Sequence, residues 1–458
     1  MLLRTELPLP RARWYRHALG LLLGCGREDP TVEHRRIIDN QAEIHMRLQT
    51  SAFILALAAS RLLAGPAEPA TAITYTITHT GQAERYDDRG RVIHPKPGEA
   101  FYGQDADHAS TPMAFKDNGN GTVLDLKTQL EWTKAPEECT YRQAGQKASA
   151  CRVGGHDDWR LPTVKELYSL MDFRGGSGFS PMRPYIDTAV FEFHFGSAAK
   201  GVREIDAQYW TCTEYVGLTM NNDPTVFGVN FADGRIKGYP RDRHPVEGEM
   251  RRWARFVRGS TDYGNNDLHD NADGTVIDRA TGLMWAKSDS GKTMNWEGAL
   301  AYANSARLAG HDDWRVPSAK ELQSIVDYTR APDASDPAHR SAAIDPIFSV
   351  TDEESYFWTA TTHFEAPGKL LGTQAVYVCF GRSLGKLPPP PPGAAKPAGA
   401  GPSSVRNGFI NVHGAGAQRS DPKSGDPSSP QYRNGFGPQG DDIRILNYCR
   451  LVRDAVPR

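Results

Sequence analysis

The chain repeats itself once, and this internal duplication limits the possible folds more than any other feature of the sequence. The block DNGNGTVLDLKTQLEW (117–132) returns as DNADGTVIDRATGLMW (270–285). Three more blocks return in the same order: GGHDDWRLPTVKELYSLMDF as AGHDDWRVPSAKELQSIVDY, YWTCTEY as FWTATTH, and ARFVR as CRLVR. A period of about 150 residues is far longer than the units of about 20 to 50 residues in solenoids and propellers. The sequence therefore predicts two tandem copies of one domain, over 101–260 (copy 1) and 261–455 (copy 2).

The charge balance argues against two classes of partner. The 458 residues carry 53 Lys plus Arg and 55 Asp plus Glu, a formal net charge of −2. Binding to nucleic acid or to an anionic membrane surface requires a strong positive charge. The mean hydropathy of −0.54 and the 44 Gly and 32 Pro are typical of a turn-rich chain without multiple membrane spans. We expect no nucleic-acid partner and no membrane span in the mature chain.

The N-terminal region has the pattern of an export signal. Residues 46–72 begin with Met46, contain an apolar stretch, and end in the small residues Ala70, Thr71 and Ala72, which form an A-x-A cleavage site. Residues 1–45 are then an upstream misread start, and 73–100 form an N-terminal extension. The alternative is a lipoprotein signal with Cys25 lipidated. Either pattern predicts an extracytoplasmic protein, located in the periplasm, on the cell surface or outside the cell.

The repeated blocks predict local structure. DNxxGTVxDxxTGLxW is typical of a β-hairpin. Thr163 with Glu166, and Ser318 with Glu321, match the capping box at the start of a helix. Trp159 and its copy Trp314 are expected to pack in the core. Arg160 and its copy Arg315 are each expected to form a buried ion pair. The acidic turn does not match an EF-hand loop, so calcium is possible but not favoured and no cofactor is predicted.

Copy 2 contains a Pro- and Gly-rich stretch that copy 1 lacks. Five consecutive prolines begin it, and a polyproline run is too stiff and too well solvated to form a core. We therefore expect 386–442 to loop out of copy 2 as an excursion that carries a binding surface. The ligand-binding candidates are His413, Gln418, Arg419, Asp421, Gln439, Asp441 and Asp442, with His363 facing the same surface. A sulfated polymer would need a local basic cluster such as Arg419, Lys423, Arg433 and Arg444. The equal alternative is that these side chains only tie down a long loop.

Five cysteines follow the cleavage site, so at least one is unpaired within the chain. Cys379 and Cys449 lie in two strand-like stretches, and we predict a disulfide between them. Cys139 and Cys151 are both absent from copy 2, as paired residues often are. A continuous helix between them would separate them by roughly 18 Å, so their bridge requires a broken helix unless Cys212 pairs with one of them.

The ordered motifs DNGxGTVxD, TGLxW, GHDDWRLPxxKEL, FWTxTTH, GPQGD and RLVR resemble the Lcl C-terminal domain family, named after a bacterial collagen-like adhesin. The resemblance covers nearly all of the chain after residue 72. It implies an α+β fold, a tandem duplication of a C-type-lectin-like domain with small antiparallel sheets and flanking helices, placed outside the cytoplasm. For the named adhesin it also implies binding of sulfated glycosaminoglycans.

The block WRLPT followed by a capped helix also resembles formylglycine-generating enzymes. Such an oxidase needs a reactive cysteine pair near the C-terminus, which this chain lacks, and G-x-S-x-G, H-E-x-x-H, P-loop and C-x-x-C motifs are absent. We therefore predict an exported, non-enzymatic recognition or adhesion module that binds a glycan, a surface polymer or another protein. The alternatives are a hydrolase or oxidase with an unfamiliar site, and a structural envelope protein.

Overall fold

The two copies carry the same elements in the same order. The computed structural model describes residues 73–455 except 109, 198, 200–201, 221, 245–247, 366–370, 387–407 and 437–439. The signal peptide predicted for 46–72, its cleavage site and the misread start over 1–45 lie outside the described residues. The extension over 73–100 packs on copy 2, where the Thr74 N–H donates to the Ala280 carbonyl over 2.8 Å.

Copy 1 and the extension before it are built mainly from short strands. The helices are α1 (Tyr141–Ala150) and α2 (Val164–Tyr168). The strands are β1 (Arg85–Tyr86), β2 (Val92–Ile93), β3 (Phe115–Asp117), β4 (Thr122–Asp125), β5 (Glu131–Thr133), β6 (Glu137–Thr140), β7 (Gln208–Glu214), β8 (Thr225–Asn230), β9 (Arg235–Pro240), β10 (Arg243–His244), β11 (Gly248–Glu249), β12 (Arg251–Ala254) and β13 (Val257–Arg258).

Copy 2 repeats this arrangement. Its helices are α3 (Trp296–Ser305) and α4 (Ala319–Ser324). Its strands are β14 (Leu268–Asp270), β15 (Thr275–Asp278), β16 (Leu283–Ala286), β17 (Tyr356–His363), β18 (Gln374–Cys379), β19 (Leu384–Gly385), β20 (Ile410–Asn411), β21 (Gln418–Pro422) and β22 (Val452–Asp454). Short 3-10 turns cover Asp105–Asp107, Val153–Gly155, Pro337–His339 and Pro430–Tyr432.

The predicted hairpin is present in both copies. In copy 1 it is β4–β5, with Val123 opposite Trp132, and in copy 2 it is β15–β16, with Val276 opposite Trp285. The glycine before each hairpin has a positive φ, +87° at Gly121, which favours glycine because it has no Cβ. Each hairpin belongs to a four-stranded sheet, in the order β13-β5-β4-β3 or β14-β15-β16-β22. These are the small sheets that the resemblance implies.

The capping boxes and the ion pair are confirmed. In α2, the Thr163 hydroxyl accepts from the Glu166 N–H, and the Glu166 carboxylate accepts from the Thr163 N–H. The same carboxylate forms a bidentate salt bridge with Arg160. Arg315 and Glu321 repeat this pair in copy 2, with Arg315 only 9% exposed. In the motif WRxP followed by KEL, the glutamate thus both caps the helix start and pairs with the arginine.

An eight-stranded sheet crosses both copies, in the order β17-β18-β21-β9-β8-β7-β12-β6. Strands β17, β18 and β21 match β7, β8 and β9, since Phe357 and Tyr209 are equivalent in the duplication and sit opposite Val378 and Val229. The two sets meet edge to edge, with Gln418 of β21 antiparallel to Ile236 of β9. The copies therefore share one continuous sheet.

The expectation that all of 386–442 loops out of copy 2 is wrong. Strand β21 lies within this stretch, occupies the middle of the eight-stranded sheet, and is buried at four of its five residues. The extra residues of copy 2 lie between β18 and β21, where copy 1 has a tight connection from β8 to β9, and between β21 and β22; we call these two stretches together the insertion. The polyproline run itself lies in 387–407, outside the described residues.

Apolar side chains cover both faces of the sheet. Successive strand residues point to opposite faces, and Phe357 packs with the side of the sheet that carries α2 and α4, while Trp358 packs with α3. The core on the α2 and α4 side runs through both copies, from Leu167 to Leu322. Helices α1 and α3 each cover a smaller core within one copy.

The predicted Cys379–Cys449 disulfide is wrong, since both thiols are free and buried. Cys379 lies opposite Tyr356 on one side of β17, whereas Tyr448, the neighbour of Cys449, pairs with Phe357 on the other side. Two strand spacings of about 4.8 Å put the cysteines roughly 10 Å apart. A disulfide requires a Cα separation of roughly 4.4–6.8 Å.

The cysteines of copy 1 are also free. Cys139 lies just before α1 and Cys151 caps its C-terminal end, and the ten residues of α1 are unbroken. A helix of that length spans about 15 Å, so it holds the two thiols too far apart to bond. Cys212 is exposed on β7 and does not pair with either of them.

Candidate functional site

A cleft of about 740 Å³ lies in copy 2. We call it the excursion cleft, because residues 408–448 form much of its wall. Its floor is Tyr356, at the start of β17, together with Tyr448 and Asn447. Its aromatic and basic lining residues include Tyr356, Lys386, Phe409, Tyr432, Arg433 and Tyr448. A concave surface of aromatic rings and charged groups is a typical ligand site.

Two cation–π contacts organise the cleft. The Arg444 guanidinium lies 3.4 Å from the centroid of the Tyr356 ring, and the Lys386 ammonium lies 4.9 Å from that of Phe409. Lys386 also donates to the Arg433 carbonyl over 2.8 Å, which ties β19 to the 3-10 turn at Pro430–Tyr432. The Arg433 side chain itself is exposed. The cleft therefore has a fixed base and one free cation on its rim among the described residues.

Asp442 is the ligand-binding candidate that lines the cleft. Its carboxylate accepts from Arg444 over 3.1 Å. Burial opposes the charge of Arg444, but Tyr356 and Asp442 outweigh it and raise the pKa of the guanidinium above its usual value. Gln439 lies outside the described residues. Arg444 and Arg433, two members of the expected basic cluster, reach the cleft, whereas Lys423 is fully buried and donates to the Tyr86 carbonyl.

Three candidates form a buried network behind the cleft. Arg419 forms a salt bridge with Asp441 and a 2.9 Å hydrogen bond with the His413 ring, while His413 lies 3.4 Å from the Gly238 carbonyl. Arg419 is 3% exposed. Burial, then the positive charges of Arg419 and Lys237, hold the pKa of His413 well below its usual value. The structure thus places the neutral His413 imidazole beside the Arg419–Asp441 salt bridge.

A second charged cluster lies where the two copies meet. Arg235 of β9 forms salt bridges with Asp233 and with Glu365, which follows β17. Lys237 also bonds to Asp233. Burial would raise the pKa of Glu365, but the charge of Arg235 lowers it to about 2. We call these four residues the inter-copy ion cluster.

His363 belongs to this cluster rather than to an exposed surface. Its side chain is fully buried, bonds to the Asp233 carbonyl over 2.9 Å and stacks on Tyr185. Burial and the charge of Arg235 lower its pKa to about 4. Gln418 is likewise buried, and its side chain accepts from the Tyr168 hydroxyl over 3.1 Å. In this structure both side chains hold the fold together, which is the alternative that the sequence left open.

Asp421 holds the wall of the cleft in place. One carboxylate oxygen accepts from the backbone N–H groups of Arg444 and Ile445 and from the Asn447 amide, at 2.9–3.1 Å. The other oxygen, Oδ1, is buried and has no hydrogen-bond partner among the described residues. Burial raises the pKa of Asp421 to about 7, despite these donors.

Asp421→Asn is expected to flatten the dependence of stability on pH. The folded-state pKa of about 7 lies above the ordinary value of 3.8, so the native state holds the proton more tightly and loses stability as pH rises through this interval, by up to about 1.4 kcal/mol per unit. Asparagine has no such titration, and its NH₂ takes the place of the unpartnered oxygen. Urea unfolding at pH 4.5 and pH 8 measures the difference between the two proteins.

The control for this prediction is Asp426→Asn, because Asp426 is exposed and near the same segment. It should leave the pH dependence close to that of the parent protein. An Asp421→Asn protein with the parent's pH dependence would contradict the assigned titration.

The aromatic residues of the cleft were not among the predicted site residues. Tyr356 directly precedes the repeated strand block, Phe409 lies in NGFI and Tyr432 in PQYRN, so each looks like an ordinary core or loop residue. The usable signal was the recurrence of aromatic residues beside Asn, Gly and Arg in the insertion.

Two features are absent from the part of the chain that the structure describes. No group of three or more His, Cys, Asp or Glu side chains there is placed to hold a metal ion. No helix there is long and apolar enough to cross a membrane.

The described residues thus form two β-rich copies with a paired helix start, and copy 2 adds the excursion cleft. The family model of the Lcl C-terminal domain matches residues 121–250 and 274–385, and the chain belongs to this family, with two tandem copies. The matched segments end at 385, so most of the wall of the excursion cleft lies beyond them. No curated protein and no solved structure is significantly similar to the chain.

Proposed function

We propose that this protein is an exported, non-enzymatic recognition module and that its excursion cleft binds a glycan or another surface polymer. The observation that carries the proposal is the cleft itself, where tyrosine and phenylalanine rings stand beside amide, hydroxyl and guanidinium groups. Aromatic rings supply large apolar contact area, and the polar groups fix orientation. Membership of an adhesin-named family and a C-type-lectin-like architecture, which we infer from the same resemblance, agree with recognition rather than catalysis.

The charges of the cleft favour an anionic polymer. Lys386, Arg433 and Arg444 line it, against Asp352 and Asp442. Arg444 is already paired with Asp442, so Arg433 at the rim is the cation best placed to meet a sulfate or carboxylate. Contacts of exposed charges are screened within about 10 Å at 0.1 M salt. We therefore expect binding that weakens as ionic strength rises.

Arg433→Gln and Tyr432→Ala are expected to weaken polymer capture about tenfold each, through loss of one charge-assisted contact or one aromatic contact. Both side chains are partly or fully exposed, so the melting temperature should change little. The measurement is binding of immobilised heparin and of a glycan array by the chain from Ile73 onward, at low and at physiological salt.

The matched control is Arg142→Gln, which removes one exposed positive charge from α1 in copy 1. It should leave capture within about twofold of the parent. Equal losses in Arg433→Gln and Arg142→Gln would show that only overall charge matters, and the cleft would then not be the site.

A further inference from the structure

We propose that a second site, a groove between the two copies, binds an extended polypeptide segment of a partner protein. The groove has a volume of about 550 Å³, and its walls include Thr163, Lys165, Thr213, Asn266, Tyr328 and Thr329. It lies beside α2, away from the excursion cleft, and shares no lining residue with it. The segment would offer a backbone carbonyl and a short side-chain acceptor such as Asp. This proposal does not depend on the proposed function.

The argument rests on a pseudo-two-fold symmetry between α2 and α4. The Lys165 ammonium, on α2, donates to the Ser324 carbonyl at the end of α4 over 2.6 Å. The equivalent Lys320, on α4, donates to the Ser169 carbonyl at the end of α2 over 2.8 Å. Each copy thus completes the end of the other's helix. The surroundings of α2 can therefore be compared with those of α4 at equivalent positions of the duplication.

Two segments that precede β3, one around Thr80 in the N-terminal extension and the 3-10 turn at Asp105–Asp107, fill the space beside α4. The Thr80 carbonyl accepts from the Phe173 N–H over 2.7 Å. The Asp105 carboxylate accepts from the Thr361 hydroxyl over 2.6 Å and from the Thr80 hydroxyl over 2.7 Å. The cavity left there is only about 20 Å³. The occupant of this position thus offers a backbone carbonyl, from Thr80, and a carboxylate, from the 3-10 turn at Asp105–Asp107.

The equivalent space beside α2 is the open groove. Tyr328 is the counterpart of Phe173, and among the described residues its backbone N–H has no hydrogen-bond partner. Thr213 is the counterpart of Thr361. The two hydroxyls accept from equivalent N–H groups, those of Val164 and Ala319. No described residue accepts the Thr213 hydroxyl proton, whereas Asp105 accepts that of Thr361.

The groove selects a peptide rather than a polyanion. Its buried cation, Lys165, already donates to the carbonyls of Gly264 and Ser324 and to Asn266. The groove also includes the carboxylates of Asp327 and Asp345, so it has no uncompensated positive charge. Among the described residues, the Tyr328 N–H and the Thr213 hydroxyl each keep a proton to donate, which suits a backbone carbonyl and a side-chain acceptor.

The test uses two peptides based on the sequence of residues 78–83, acetylated and amidated. In the first, Thr-His-Asp-Gly-Gln-Ala, aspartate replaces Thr80. In the chain the Thr80 hydroxyl donates to the Asp105 carboxylate, so an aspartate at this position directs its own carboxylate toward the same place. The second, Thr-His-Ala-Gly-Gln-Ala, is identical but lacks the acceptor. Amide chemical shifts of the isotope-labelled chain from Ile73 onward are followed during titration to millimolar peptide. We expect saturable shifts at Tyr328 and Thr213, with the aspartate peptide bound about fivefold more tightly.

Two variants complete the test. Thr213→Val removes the donor and should abolish the difference between the peptides, whereas Thr213→Ser keeps the hydroxyl and should preserve it. Absence of saturable shifts at Tyr328, equal affinity of the two peptides for the parent chain, or shifts confined to the excursion cleft would overturn the proposal. Sedimentation that shows two chains joined through this groove would also overturn it, because the occupant would then be a second copy.

Discussion

Arg235→Ala is expected to lower the free energy of unfolding by about 3–5 kcal/mol, because it breaks a buried ion pair by removing one partner. Arg235 is 8% exposed and holds both Asp233 and Glu365. Without it, Glu365 keeps its position in the inter-copy ion cluster but loses the charge that lowers its pKa to about 2. Urea unfolding at pH 7 measures the loss.

Arg241→Ala is the matched control. Arg241 follows the same strand, β9, but its salt bridges with Glu214 and Asp242 are largely exposed. Exposed pairs contribute about 0–1 kcal/mol, so a small change is expected. Arg235→Met combined with Glu365→Gln should recover part of the stability, since no lone charge remains at that pair. Similar losses for Arg235→Ala and Arg241→Ala would contradict the role assigned to the cluster.

Gln418→Pro is expected to destabilise the chain by more than about 3 kcal/mol. Gln418 lies in β21 between Val378 of β18 and Ile236 of β9. Proline has no N–H to donate and its ring does not fit between two paired strands. Because β21 connects the sheets of the two copies, we expect the loss to appear in the main unfolding transition measured by circular dichroism and urea.

Gln418→Ala separates the side chain from the backbone at the same position. It keeps the backbone N–H and loses the side-chain hydrogen bonds with the Tyr168 hydroxyl and the Arg419 carbonyl, which is expected to cost about 1–2 kcal/mol. If the proline variant were no less stable than the alanine variant, β21 would not be an integral strand. The sheet shared by the two copies would then need revision.

The local elements could be predicted because their causes lie within a few residues of one another. The capping box at Thr163 and Glu166, and the hairpin ending at Trp132, use contacts between neighbours in sequence. The duplication then supplied the same result a second time. Family membership followed from the order of these blocks, and the family match over residues 121–250 and 274–385 confirms it.

The candidate site was predicted in part. The insertion of copy 2 does form much of the wall of the excursion cleft, and Asp442 and Arg444 line it. The side chains of Arg419, His413 and Gln418 turned inward, where partners from both copies satisfy them. From sequence alone, a polar side chain in a Gly-rich stretch is expected to be exposed. Here the groups that pair with such side chains include one more than 170 positions away, the Gly238 carbonyl beside His413.

The sequence by itself determined the two copies, their hairpins and their capped helices, since each depends on short-range patterns. Tertiary structure alone decided that Gln418–Pro422, a polar segment without a strand pattern, becomes a central strand, because β18 and β9 satisfy its backbone and buried partners satisfy its side chains. It also decided that Cys379 and Cys449 stay apart, since β17 lies between them. Strand order depends on which edges meet in space, and a linear pattern of residue types does not contain that information.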